Sequence, residues 1–133
     1  DIGRRLGCGG HMKYLLRTQV GKFQLKEAIT LEQLNIAIES GNLENFLVST
    51  EEVLEFLPEA TVKGSHVVMV AQGKPLAKGF FQTLPKCFKP GMNIRISGPD
   101  HVVLAIAEPL TNQDDFAGLD TEVIAFKLKR VFN

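Results

Sequence analysis

Cys8, His11, Lys13, Tyr14, Arg17 and Lys22 crowd into one short stretch, the densest run of chemically useful side chains in the chain. A thiol close to an imidazole would suit nucleophilic chemistry, and spaced cations would suit a phosphate backbone. The first option lacks its other parts. His11 has no triad or metal motif around it, so no catalytic role is assigned to it. Cys8 and Cys87 lie far apart and in no metal-like spacing, which reads as two ordinary thiols in a reducing cytosol. The cations carry the candidate chemistry, with Arg17 and Lys22 as the leading phosphate contacts and Lys13 beside them.

The elements that must position these residues can be read outward from the stretch. Residues 1–6 place apolar Ile2 and Leu6 at i and i+4, basic Arg4 and Arg5 late, and Gly7 where a helix ends. No N-cap precedes this helix and residue 1 is Asp, so the chain is expected to be a piece of something longer. The Cys8-Gly-Gly10 turn then leads into residues 12–17, where Lys13, Leu15 and Arg17 alternate with Met12, Tyr14 and Leu16. That period of two predicts a strand. Residues 18–25 continue extended, with Val20, Phe23 and Leu25 expected in the core and Gly21 marking a bulge or close backbone approach.

Helix signals follow. Thr30-Leu-Glu-Gln33 is a capping box ahead of Leu31, Leu34 and Ile38, and Gly41 ends that helix. Ser49-Thr-Glu-Glu52 opens a second, short helix that Pro58 stops. Residues 60–62 predict a strand, while residues 65–72 read equally as a helix or a buried apolar run. Residues 92–97 and 101–107 alternate on either side of Gly98-Pro99-Asp100, a turn sequence, and so predict a hairpin. Residues 111–120 read as a polar loop, and residues 122–132 as a final strand with Lys127 and Lys129 on one face. Several short strands with one or two helices predict a small β-barrel module.

Composition bounds the class. At 133 residues the chain holds one domain, or a small domain with an appended piece, and needs no disulfide or metal to fold. No uncharged apolar run approaches the ~20 residues of a membrane span, and no signal-peptide pattern opens the chain. Zero net charge hides a segregation. Residues 1–26 hold six Lys/Arg against Asp1, residues 27–59 hold eight Glu and no Lys or Arg, and residues 60–133 hold nine basic and six acidic side chains. Two basic ends about an acidic connector suit a polyanion; separately solvated faces account for the same counts.

The run Leu6-Gly-Cys-Gly-Gly-His-Met-Lys-Tyr-Leu-Leu-Arg-Thr-Gln-Val-Gly-Lys-Phe23 resembles the late catalytic-domain motif of bacterial TruB-type tRNA pseudouridine synthases. There a helix ends in Leu-Gly-x-Gly and the chain runs on through Leu-x-Arg-Thr-x-x-Gly-x-Phe. Ala28-Ile-Thr-Leu-Glu-Gln-Leu34 and Phe56-Leu-Pro58 resemble the following helix and the entry to the C-terminal domain. Pro90-Gly91, Ile94-Arg-Ile96, Leu104-Ala-Ile-Ala-Glu108 and Phe126-Lys-Leu-Lys-Arg-Val-Phe132 resemble the bacterial PUA RNA-binding domain. The resemblance implies an α+β fold: the end of a catalytic domain in residues 1–41, a connector in 42–58 and a PUA-like β-barrel in 59–133.

What the family implies is isomerisation of the T-loop uridine of tRNA to pseudouridine, without metal or organic cofactor, on a base flipped out of the loop. The parent protein would be the enzyme. Its aspartate belongs to a Gly-x-Leu-Asp motif that this chain lacks; Leu119-Asp120, preceded by Ala117-Gly118, is not that motif. No catalytic residue is therefore assigned, and the chain alone is expected to be inactive. By the resemblance Leu15 lines the uracil pocket, and Lys13, Arg17 and Lys22 contact RNA. Gly73, Lys74, Lys89 and Arg130 are candidate acceptor-stem contacts by charge and turn position. Many members carry two arginines before the threonine, whereas here Leu16 precedes Arg17. Ala105 and Ala107 stand where glycine is often found, which argues against close RNA approach at that strand. The expected partners are the T arm and acceptor stem of tRNA and the remainder of the catalytic domain, in a cytoplasmic monomer with no membrane. Two other readings remain: a free-standing PUA-type RNA-binding module, and a protein-interaction adaptor using the acidic residues 27–59.

Overall fold

Helix α1 (Ile2–Arg5) opens the chain in a computed structural model that describes residues 1–132. Its end is a tight double turn in which Gly3 carbonyl oxygen accepts the N–H groups of Cys8 (3.2 Å) and Gly9 (3.0 Å). Gly3 is required there by close approach: a Cβ would stand 2.2 Å from the Gly9 carbonyl. The predicted strand over residues 12–17 does not form. The segment is extended but pairs with no other strand, and Met12, Tyr14, Leu15 and Leu16 are all exposed. Alternation sets which way side chains point, whereas a strand needs a hydrogen-bonded neighbour.

Pairing begins only at β1 (Gln19–Val20) and β2 (Phe23–Gln24), an antiparallel hairpin of two residues per strand. Gly21 is not a bulge. It is the first residue of the two-residue turn, with φ of 57°, the left-handed conformation such turns demand. Val20, Phe23 and Leu25 are exposed rather than in a core. Helix α2 (Leu31–Glu39) forms behind its capping box: Thr30 Oγ1 accepts the Gln33 N–H, and Gln33 Oε1 accepts the Thr30 N–H. Its buried residue is Ala37, not the Leu31 and Ile38 that the apolar spacing selected. These elements belong to one compact unit, Asp1–Leu47.

The second unit, Val48–Asn133, carries nearly all of the buried apolar residues. Helix α3 (Thr50–Val53) is capped by Ser49 Oγ, which accepts the Glu52 N–H. It leads to β3 (Glu59–Val62) and α4 (Val67–Ala71), so residues 65–72 resolve as helix preceded by a single 3-10 turn. Then come β4 (Leu76–Ala77), β5 (Phe81–Thr83), β6 (Ile94–Ser97), β7 (Val103–Pro109), α5 (Gln113–Ala117) and β8 (Ile124–Val131). The sheet runs β4-β8-β7-β6-β3-β5, antiparallel except for the β3–β6 pair. Both edge strands come from one segment, residues 76–83, turned between them by a 3-10 turn, so the sheet curls back upon itself.

Strand alternation fills this barrel. Ile94 and Ile96 from β6 and Ala105 and Ala107 from β7 are fully buried, with Ala60, Val62, Val70 and Leu76. Ala105 and Ala107 thus face the core, where a small side chain fits and RNA does not reach. Phe81, Phe88, Phe116 and Phe126 complete the core as edge-on and tilted rings with centroids 4.6–6.3 Å apart. Phe116 comes from α5, inside the stretch the sequence marks as a polar loop. Two side chains support that helix besides the burial of Phe116: Asn112 Oδ1 accepts the Asp115 N–H, and Lys78 Nζ donates to the carbonyls of Ala117 (2.8 Å) and Leu119 (2.6 Å).

Candidate nucleic-acid interface

In the first unit the extended run after α1 presents Lys13, Leu15 and Arg17 to solvent, Leu15 at 76% exposure. Arg17 borders a shallow open hollow of about 210 Å³ with Thr18, Val20, Phe23, Leu25 and Ala28. Lys22 sits at the tip of the β1–β2 turn with its Nζ 5.9 Å from the centroid of the Phe23 ring. The hairpin therefore brings Arg17 and Phe23 to one hollow and raises Lys22 on the turn above that ring. His11 is exposed, and Cys8 is a free thiol whose Sγ donates to the Gly9 carbonyl. Cys87 is likewise free and exposed. Among the described residues no three His, Cys, Asp or Glu side chains are placed to hold a metal ion, and no helix is long and apolar enough to cross a membrane.

In the second unit Gly73 closes α4, its N–H donating to the Val70 carbonyl while the Lys74 N–H reaches Met69. Gly73 lines an open hollow of about 270 Å³ with Pro75, Leu110, Ile124 and Lys127. Lys127, which sequence reasoning placed on the last strand but not in a site, is thus the cation the fold sets beside Gly73. The signal was present: Lys127 stands in an alternating strand whose neighbour Phe126 faces the core.

Lys127 and Lys129 are not equivalent. A register shift in the β7–β8 ladder pairs Ala107 with Leu128 and Ile106 with Arg130, leaving Lys129 as the extra residue. Its Nζ lies 2.7 Å from Glu108 Oε2 and donates to Asn93 Oδ1 at 3.1 Å. Glu108 also accepts the Gly91 N–H at 2.9 Å, so the pair fastens the 89–93 turn, which carries Lys89, to the sheet. The Lys129 hydrogen bond, then that N–H and the nearby Lys127 charge, hold the Glu108 carboxyl below its ordinary value. Arg130 is exposed and forms no ion pair among the described residues.

A third cluster lies where α3 meets the barrel. Glu51 Oε1 accepts the Val103 N–H at 3.1 Å. Arg95 Nη2 is 3.5 Å from Glu59 Oε2, and His101 Nδ1 is 3.5 Å from Glu59 Oε1. Burial pushes the Glu59 carboxyl up, but the Ser97 hydroxyl, Arg95 and His101 outweigh it and hold the carboxyl low. Asp120, in the turn after α5, is remote from any such cluster by sequence and serves through its carbonyl, which accepts the Val123 N–H.

Comparison with known proteins follows the same lines. A family model described as "tRNA pseudouridylate synthase B C-terminal domain" matches residues 1–55. The chain is 40% identical over 108 residues to tRNA pseudouridine synthase B of Pelotomaculum thermopropionicum, covering 81% of this chain and 34% of that protein. It is 34% identical over 139 residues to the same enzyme of Geobacter sulfurreducens, covering all of this chain and 42% of that protein. The chain thus spans well under half the length of these relatives. Its fold matches a chain of the crystal structure of the archaeal box H/ACA sRNP Nop10-Cbf5 complex, with TM-score 0.82 and 26% identity over 99% of this chain and 45% of that one. A conserved PUA domain protein from Thermoplasma acidophilum shares the fold alone, with TM-score 0.51 and 11% identity over 56% of this chain and 49% of that one. Sequence and fold together show that the chain belongs to the tRNA pseudouridine synthase B family and corresponds to its C-terminal region.

Proposed function

We propose that this chain is the RNA-contacting part of an enzyme that isomerises the T-loop uridine of tRNA to pseudouridine. The observation that carries the reading is the similarity to tRNA pseudouridine synthase B along the whole chain, through both the 11–18 run and the barrel strands. A related solved chain, matched with TM-score 0.79 and 28% identity, comes from an H/ACA RNP bound to a substrate RNA containing 2'-deoxyuridine.

In this reading the target base leaves its stack and meets the extended residues 12–16, with Leu15 against the ring. Lys13, Arg17 and Lys22 take T-arm phosphates. Gly73, Lys74, Lys89 and Arg130, joined by Lys127, meet the acceptor stem. Recognition by shape and phosphates fits an A-form stem, whose bases are poorly accessible to side chains. The remainder of the catalytic domain supplies the aspartate and covers the apolar side chains that the first unit leaves exposed; Ala37 is the one apolar residue it buries among the described residues. The chain itself carries no Gly-x-Leu-Asp and forms no pseudouridine alone, in a cytoplasmic setting and as a monomer.

Titration of the full chain against a T-arm and acceptor-stem RNA, read by fluorescence anisotropy, tests this. Affinity should fall with rising salt, with a log–log slope of roughly 0.7–0.9 for each phosphate neutralised. No binding at low salt, or binding indifferent to salt, would overturn the reading.

A further inference from the structure

Helix α3 has four residues, far fewer than the ~12–15 that a helix needs to persist by itself in water. Something in the fold must hold it. Four contacts from the β6–β7 hairpin hold it and the segment that follows it. The Glu51 carboxylate accepts the Val103 N–H at 3.1 Å, at the start of β7. The Arg95 guanidinium reaches the Glu51 carbonyl at 3.5 Å with Nη1 and the Glu59 carboxylate at 3.5 Å with Nη2, and its side chain is only 19% exposed. The Arg95 backbone N–H donates to the Pro58 carbonyl at 2.9 Å. One residue of β6 therefore grips both ends of the segment from α3 to β3, and one residue of α3 caps the neighbouring strand.

We propose that Glu51 and Arg95 form a clamp that makes residues 49–58 a fixed entry arm of the barrel, confining flexure of the chain to residues ahead of Ser49. Arg95 is a positioning residue in this account, and it touches no RNA. The arm owes its order to the clamp and the barrel core does not, because the core cluster that holds Ile94, Ile96 and Phe126, and the apolar residues packed against it, include none of residues 49–58.

Amide hydrogen exchange on the full chain separates the two. The reporters in the arm are the hydrogen-bonded N–H groups of Val53 and Leu54; those in the barrel are Lys78 and Leu110, which donate to the carbonyls of Val123 and Ala125. Glu51→Ala removes the acceptor for Val103 and should speed exchange at Val53 and Leu54 by about tenfold or more, the factor one hydrogen bond to a charged acceptor supplies, with the barrel amides within about twofold. Glu51→Gln keeps an acceptor oxygen and should retain most of the protection. Arg95→Met should free the arm in the same pattern. Unchanged arm amides in Glu51→Ala, equal acceleration of arm and barrel, or Gln behaving as Ala would each overturn the clamp.

Discussion

Arg130 and Lys129 are adjacent cations on one strand, and under the proposed RNA-binding reading their different surroundings predict opposite behaviour toward a phosphate. The Lys129 ammonium is already committed, to Glu108 at 2.7 Å and Asn93 at 3.1 Å, so moving it to a phosphate would forfeit both contacts. The Arg130 guanidinium is solvated and its planar fork suits a phosphate. Arg130→Gln should therefore remove about one phosphate contact and flatten the log–log salt slope by roughly 0.7–0.9. Over a fourfold salt range, such as 50 to 200 mM, that slope difference amounts to roughly a threefold change in affinity ratio. The deficit of the variant against the unmodified chain should be largest at 50 mM and shrink about threefold by 200 mM. Lys129→Gln should leave the slope unchanged and instead loosen the 89–93 turn. Anisotropy titrations of both variants against the same stem RNA at several salt concentrations decide the matter. An equal loss of slope in Lys129→Gln, or none in Arg130→Gln, would refute the assignment of these two side chains.

Phe126→Ala should cost the barrel about 3–5 kcal/mol, because the ring is fully buried against Phe81, Phe88 and Phe116, whereas Leu31→Ala, at an exposed site, should stay within about 0.5 kcal/mol. Urea unfolding followed by circular dichroism measures both, and similar losses would contradict the core described here. Gly3→Ala places a Cβ on the Gly9 carbonyl, so the turn after α1 should open and trypsin should cut faster after Arg4 and Arg5; an unchanged rate counts against that close approach. The carboxyls of Glu51, Glu59 and Glu108 are held below their ordinary value of 4.5 in the folded chain. Their contribution is therefore complete above that value and is lost as pH falls through the lower folded ones. The urea midpoint should hold steady from pH 7 to about 5 and drop below it, by less in Glu108→Gln; a midpoint that rises on acidification would reverse the sign of the argument.

The residues themselves determined what depends on neighbours in sequence. The Thr30 and Ser49 caps, the end of α1 at Gly7 and the alternating strands on either side of residues 98–102 all rest on contacts within a few residues, and all formed. The motif around Arg17 likewise marked the family without any structure. What depends on partners distant in sequence was decided only by the tertiary fold. Residues 12–17 alternate as a strand does, yet nothing in the described chain pairs with them. Helix α5 hides in a polar stretch because its order comes from Phe116 in the barrel and from Lys78, some forty residues earlier in the chain. The division of the last strand's cations into one anchor and its exposed neighbours follows from a single extra residue in the β7–β8 ladder, a register that alternation cannot reveal. Local hydrogen bonds and side-chain period are written in sequence; pairing, register and the neutralisation of one charge by another require the chain to be folded.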